Sequence, residues 1–220
     1  GGRPTLGPRT PCGQPMTMES NMPDPPQADL FGSTGAEAAR LHRLFFALLP
    51  DAATRARLAQ VAAALKASHP GLYARWVNPA RYHATLHFLG DHALLRQDVV
   101  TAAVAAAGKL RMAPFEWVLR EAASFHGRQP PCVLRSPSVP GPLQQLWQDL
   151  RQALVLAGQG RHVARHFTPH VTVAYSHGVL LDATPVEPVA WQVERLALVH
   201  SVVGQADYQV LAEWPLQAVA

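Results

Sequence analysis

Arg81-Tyr82-His83-Ala84-Thr85-Leu86-His87-Phe88-Leu89-Gly90 contains a short pattern, His-x-Thr-x with x apolar, that returns at His170-Val171-Thr172-Val173. Both copies sit among strand-forming residues, far enough apart for each to occupy one half of a two-lobed domain. Side chains alternate faces along a strand, so residues i and i+2 point the same way. His83, Thr85 and His87 are therefore expected on one face, with Tyr82, Ala84, Leu86 and Phe88 on the other. In the second copy His170, Thr172 and Ala174 share a face, opposite Val171, Val173 and Tyr175. Two such pairs facing across a cleft supply two proton-transfer groups and two hydrogen-bond donors, a set suited to hydrolysis or transfer at a phosphodiester. The spacing by itself is equally compatible with a pair of structural histidines.

Working outward, Leu44 to Leu49 is an apolar run stopped by Pro50 and reads as a buried strand. Asp51 is placed to cap a helix running to Ser68, whose apolar stripe is Thr54, Leu58, Val61 and Leu65. An extended piece is expected from Trp76 to Asn78, and the first motif strand from Tyr82 to Leu89, ended by Gly90-Asp91. A helix over Gln97–Ala107 stops at Gly108. Strands follow over Phe115–Phe125 and Cys132–Arg135, with a turn at Gly127–Pro131 between them. Pro142–Ala157 reads as a helix with Leu143, Leu146, Leu150 and Leu154 on one face. The second motif strand spans His170–Tyr175, and strands over Trp191–Val203 and Tyr208–Leu216 close the chain. This order gives an α+β domain rather than a parallel α/β wind.

Residues 1–40 are rich in Pro, Gly, Ser and Thr and lack apolar periodicity, so they are expected to form a disordered tail. Met16, Met18 and Met22 lie in it as alternative starts. Residues 41–220 are expected to form one domain. The net charge is +4, and acidic residues slightly outnumber basic ones in the tail, so the excess positive charge falls on the domain. A modest positive field favours anionic ligands. No apolar run reaches the roughly 18 residues of a membrane span, and no export signal is visible, so a cytoplasmic protein is expected. The two cysteines, Cys12 and Cys132, are then unpaired thiols.

The two motifs, as Arg81-x-His83-x-Thr85-Leu86-His87-Phe88-Leu89-Gly90 and Pro169-His170-Val171-Thr172-Val173-Ala174, resemble the signatures of the 2H phosphoesterase superfamily. The resemblance is strongest to its bacterial RNA 2',3'-cyclic phosphodiesterase branch, also called 2'-5' RNA ligase. Arg43 to Leu48, Trp76-Val77, Leu196 to Ser201, Tyr208 to Leu211 and Trp214 to Leu216 add to it. It implies a bilobal fold with two pseudo-symmetric lobes of antiparallel sheet and flanking helices around a central cleft. It also implies metal-independent opening of a 2',3'-cyclic phosphate to a 2'-phosphate, without a cofactor, by a monomer acting on RNA or a nucleotide. His83 and His170 would be the acid–base pair, with His83 as acid and His170 as base. Thr85 and Thr172 would hold the phosphate oxygens. Many relatives carry a basic residue shortly after the second motif, where this chain has Ala174-Tyr175-Ser176-His177, and Tyr175 is expected to pack away from His170.

Arg81, two residues before His83, is expected on the same face as a further phosphate contact, and His87 as a packing or supporting residue. Phe46, Trp76 and Phe125 are candidates to stack on a base. Three other functions compete. His162, His166 and His170 have the spacing of a helical metal site, although Pro169 opposes a helix there. A nucleotide- or RNA-binding module without turnover would keep the same cleft. Ligation would use the same acid–base pair in reverse.

Overall fold

The structure is a computed structural model and describes residues 40–218. The expected tail therefore lies, but for Arg40, outside the described residues, as does Cys12. Nine strands and three α-helices are formed among the described residues. In chain order they are β1 (His42–Leu48), α1 (Ala52–Ser68), β2 (Ala74–Trp76), β3 (Ala84–His92), α2 (Gln97–Ala107), β4 (Phe115–Ser124) and β5 (Pro131–Arg135). Then come α3 (Gly141–Leu154), β6 (Val171–Ser176), β7 (Thr184–Val193), β8 (Arg195–Val202) and β9 (Tyr208–Pro215).

The strands make two antiparallel sheets, ordered β3-β1-β8-β9 and β2-β6-β5-β4-β7. Each sheet carries one motif strand, β3 or β6, paired to a short apolar neighbour, β1 or β5. The α+β class and the two lobes match the expectation from sequence. Helix α1 begins where Asp51 accepts a hydrogen bond from the Thr54 amide at 2.6 Å. Its buried stripe (Thr54, Leu58, Val61, Ala62, Leu65) lies toward the second sheet, where Arg57 donates to the Ala190 carbonyl of β7 at 2.7 Å. Helix α3 buries Leu143, Leu146, Trp147, Leu150 and Leu154 and packs on β3 and β4. One apolar core thus runs beneath both sheets, from Phe46 and Leu48 to Trp117 and Trp191. Cys132 is buried in it, and burial pushes its thiol up to about 11. Among the described residues no helix is long and apolar enough to cross a membrane.

Three boundaries differ from the sequence reading. Gly90-Asp91 does not end β3: Gly90 takes a positive φ of 103°, and the strand continues to His92, paired with Arg43 and His42 of β1. The ion pair of Arg43 Nε with Asp91 at 2.9 Å fastens this irregular stretch. The strand expected over Trp191–Val203 is two strands, β7 and β8, broken at Glu194. Pro185 and Pro188 hid the start of β7; they are tolerated because β7 is the outer strand of its sheet. Finally, α3 ends at Leu154, and a wider turn carries the chain from Val155 to Gln159.

His87 makes the core sensitive to acid. It is 1% exposed, and burial lowers its pKa to about 4. Between that value and the ordinary one near 6.5 the unfolded chain binds a proton that the native chain refuses, so stability falls as pH drops through this window. Urea unfolding at pH 7 and pH 4 should show a loss of stability that His87→Gln reduces by about 3 kcal/mol. An unchanged difference in the variant would contradict this assignment.

Candidate active site

Each motif histidine sits one residue before its strand, not within it, and the two are held in the same way. His83 Nδ1 donates to the carbonyl of Arg81 at 2.8 Å, and His170 Nδ1 donates to the carbonyl of Thr168 at 2.7 Å. In both cases the carbonyl belongs to residue i−2. The bond fixes the ring and its tautomer, leaving Nε2 as the nitrogen free to exchange a proton.

The strands that follow are irregular at matching places. In β3, Thr85 pairs with Ala47 and His87 with Phe46, so Leu86 is surplus. In β6, Thr172 pairs with Val133 and Ala174 with Cys132, so Val173 is surplus. Both are the fourth residue of the motif. A bulge of this kind reverses the alternation beyond it. Phe88, opposite Phe45, therefore shares the face of Thr85, and Tyr175, opposite Pro131, shares the face of Thr172. The expectation that His87 lies on the catalytic face is corrected: it is on the core face with Phe46. So is the expectation that Tyr175 packs away from His170, because it faces the cleft.

The extra length of backbone is fastened on each side. The Leu86 carbonyl accepts from Trp147 Nε1 at 3.0 Å, and His87 Nε2 donates to the Trp147 carbonyl at 3.0 Å, with the two rings stacked. His87 thus supports the motif from behind, as expected from sequence. At the second motif the Val173 carbonyl accepts from the Val77 amide at 2.9 Å, just beyond β2.

Aromatic rings wall the two histidines. His83 lies 5.1 Å from Phe45 and meets Tyr208 edge-on at 5.2 Å, while His170 meets Phe125 edge-on at 4.9 Å. Phe45, Ala47, Ala197 and Val199 form an apolar floor distinct from the main core. Of the proposed stacking residues only Phe125 is at the site. Phe46 is fully buried, and Trp76 packs against the core.

The motif strands approach each other across the cleft, and the histidines feel each other. Burial lowers the His83 pKa to about 4, against its bond to the Arg81 carbonyl, and the nearby charges of His170 and Arg81 lower it further. Burial also lowers that of His170, with the Arg135 cation acting in the same direction. Both rings are thus neutral at pH 7. Thr85 and Thr172 are half-buried, and neither hydroxyl has a protein partner among the described residues. Arg135 is held beside Phe125 by an ion pair with Glu121 at 2.8 Å.

Arg81 is not on the motif strand, so the expectation from i−2 alternation is corrected. It ends a 3-10 turn over Pro79–Arg81, and its guanidinium bonds to the carbonyls of Gln205 and Ala206 and covers the Tyr208 ring at 4.1 Å. It remains close enough to His83 to influence its titration. Arg43, Arg75 and Tyr208 also belong to this region and were not found from sequence. His162, His166 and His170 do not share a helix: the chain leaves a 3-10 turn at His162 and is irregular through Pro169.

Residues 48–135 match the family model of the LigT-like phosphoesterases, a span that holds the first motif and not the second. Solved structures cover both. Escherichia coli LigT in its apo form is 26% identical, with 81% of this chain aligned to 99% of that one at a TM-score of 0.67. This is the LigT-like phosphoesterase fold. E. coli LigT complexed with 3'-AMP (27% identity, 80% and 98% coverage, TM-score 0.64) agrees. So does TT0787 of Thermus thermophilus (26%, 80% and 98%, 0.63). No curated protein matches the chain by sequence.

The Trp147 indole is the donor that satisfies the surplus carbonyl of the first LigT-like motif. Trp147→Phe should lower stability by about 1–3 kcal/mol, the penalty for a buried carbonyl left without a donor. Denaturant titration measures this, and unchanged stability would show that the Leu86 carbonyl does not depend on the indole.

Proposed function

We propose that the chain hydrolyses RNA 2',3'-cyclic phosphate ends to 2'-phosphates with His83 and His170 as the acid–base pair and no metal. The observation that carries this reading is the matched pair of imidazoles, each locked through Nδ1 and each with a threonine two residues on, at facing edges of one cleft. A phosphoesterase fold and the complexes of E. coli LigT with ATP, 3'-AMP, NADP+ and phosphate support a nucleotide in that cleft. Localisation in the cytoplasm and action as a monomer go with the same proposal.

In this scheme the neutral His170 Nε2 takes a proton from water as the water attacks phosphorus. The bond to the 3'-oxygen breaks, and protonated His83 gives that oxygen its proton. Each transfer contributes typically about 10²–10⁴-fold. Thr85 and Thr172 donate to the non-bridging oxygens, where charge builds in the transition state. Burial, His170 and Arg81 all oppose a proton on His83. The anionic phosphate reverses that balance, because an opposite charge favours the protonated ring. Substrate and catalytic proton therefore arrive together. Arg81, with its remaining guanidinium nitrogens, contributes to binding the phosphates of the substrate.

Two measurements test this. An RNA ending in 2',3'-cyclic phosphate, incubated in EDTA, should yield a 2'-phosphate with the intact protein and none with His83→Ala or His170→Ala. A product that appears only without EDTA, or survives either substitution, would reject the two-histidine scheme. Ligation would instead show as joined RNA when a 5'-hydroxyl strand is added.

The pH profile supplies the second test. Lowered histidine values place the singly protonated pair below about pH 6.5, so kcat/KM should fall as pH rises above that point. Arg81→Gln removes a cation beside His83 and should move this descending limb to higher pH. A limb that stays in place would show that Arg81 does not act on His83.

A further inference from the structure

Three cations and two phenols gather at one end of the cleft, beyond His83. Register places Arg43 on the same face of its sheet as Phe45, Ser201 and Tyr208, and it places Tyr175 on the cleft face of the other sheet. Arg75 is the partner of Tyr175 across β2 and β6, and its guanidinium lies 4.8 Å from the ring centre. Arg81 lies 4.1 Å over Tyr208, whose ring in turn touches His83. Arg75 and Arg81 thus come from the two sides of the cleft, each laid on a tyrosine. Burial pushes the Tyr175 phenol up, with Tyr208 acting the same way and Arg75, Arg43 and Arg81 all opposing. Tyr208 is raised by burial and opposed by Arg81 and Arg43. Both phenols thus lie in the field of shared cations.

Of the carboxylates near it, Asp91 is engaged by Arg43, and Asp207, next to Tyr208 in the chain, has no ion pair among the described residues. Arg75 has no hydrogen-bonded or ionic partner among the described residues, and it is exposed. Excess positive charge beside aromatic rings, one ring removed from the reacting histidine, matches the alternation of phosphate and base along a nucleotide strand. The reacting phosphate belongs between His83 and His170. A second phosphate on the same molecule, one nucleoside away, would meet the arginines.

We infer that Arg43, Arg75 and Arg81, framed by Tyr175 and Tyr208, form a second anion subsite that binds a phosphate on the 5' side of the nucleotide being opened. This rests on the proposed phosphodiesterase reading and refines its substrate: a cyclic phosphate carrying a 5'-phosphoryl group is preferred to the bare nucleoside cyclic phosphate. The bulge at Val173 makes the subsite possible, because regular alternation would turn Tyr175 into the core.

Three substrates separate the possibilities: adenosine 2',3'-cyclic phosphate, the same compound with a 5'-phosphate, and the dinucleotide ApA ending in 2',3'-cyclic phosphate. At low salt kcat/KM should be at least about tenfold higher for a 5'-phosphorylated substrate than for the bare one, and the preference should shrink as salt is added. Preference for the dinucleotide alone assigns the subsite to a strand phosphodiester, and equal preference for both assigns it to any 5'-phosphate. Arg75→Glu, a change at an exposed position, should bring the ratio to within about threefold of unity, and Arg75→Lys should keep most of it. Equal kcat/KM on all three substrates, or a preference that survives Arg75→Glu, would overturn the subsite while leaving the phosphodiesterase reading intact. No turnover of any of them would overturn both.

Discussion

One surplus residue in each motif strand decides which side chains meet in the cleft. Leu86 and Val173 are apolar and bring no chemistry of their own. Yet by occupying a position with no partner on the neighbouring strand they reverse the alternation after the threonine. His87 is thereby sent into the core, Phe88 and Tyr175 are brought forward, and Ala174 and Ser176 are buried. Without the bulges the histidine and threonine of each motif would keep their places, and the wall around them would be different. The bulge also leaves a backbone carbonyl to be satisfied, and this ties the site to the scaffold behind it.

The two lobes meet that demand differently. Motif strand β6 has β2 as an outer neighbour, so the Val173 carbonyl finds a backbone donor at Val77. Motif strand β3 is the edge of its sheet, and no strand among the described residues lies beyond it. Helix α3 takes the vacant side, and the Trp147 indole and carbonyl do what a neighbouring strand would have done. The arrangement is a covered edge, which also prevents β3 from pairing with another chain. Its cost is a histidine with one nitrogen, Nδ1, buried without a protein partner among the described residues. A pseudo-symmetric site therefore rests on unsymmetric supports.

Much of this was legible in the sequence, and what was not has a common cause. The repeated His-x-Thr-x pattern, the apolar runs beside it and the capped helix at Asp51 are local features that point to an α+β domain, while the two facing lobes came with the family resemblance. Tyr175 was assigned to the wrong face, because strict alternation is the only rule a strand offers and a bulge leaves no composition mark. The prolines of β7 concealed a strand that only its position at a sheet edge permits. Arg81 was placed by the same alternation, on a strand that in fact begins three residues later. Arg43, Arg75 and Tyr208 come together through pairing between distant segments, and nothing near them in the chain announces it. Tyr208 sits on the last strand and reaches His83 only because β9 lies two strands from β1.

Electrostatics joins these parts. A protonated histidine in the cleft would carry its charge half-buried beside the Arg81 or Arg135 cation, which is unfavourable. The chain avoids this by keeping both rings neutral, and it keeps its cations on guanidinium groups, which stay charged at any working pH. Arg43 and Arg135 are further restrained by carboxylates, whereas Arg75 and Arg81 rest on aromatic rings, where the attraction is weaker and the charge remains available to a ligand. The field of the cleft is thus positive without a proton on either histidine. Such a field attracts an anion, and an anion bound there favours the protonated form of a neighbouring imidazole.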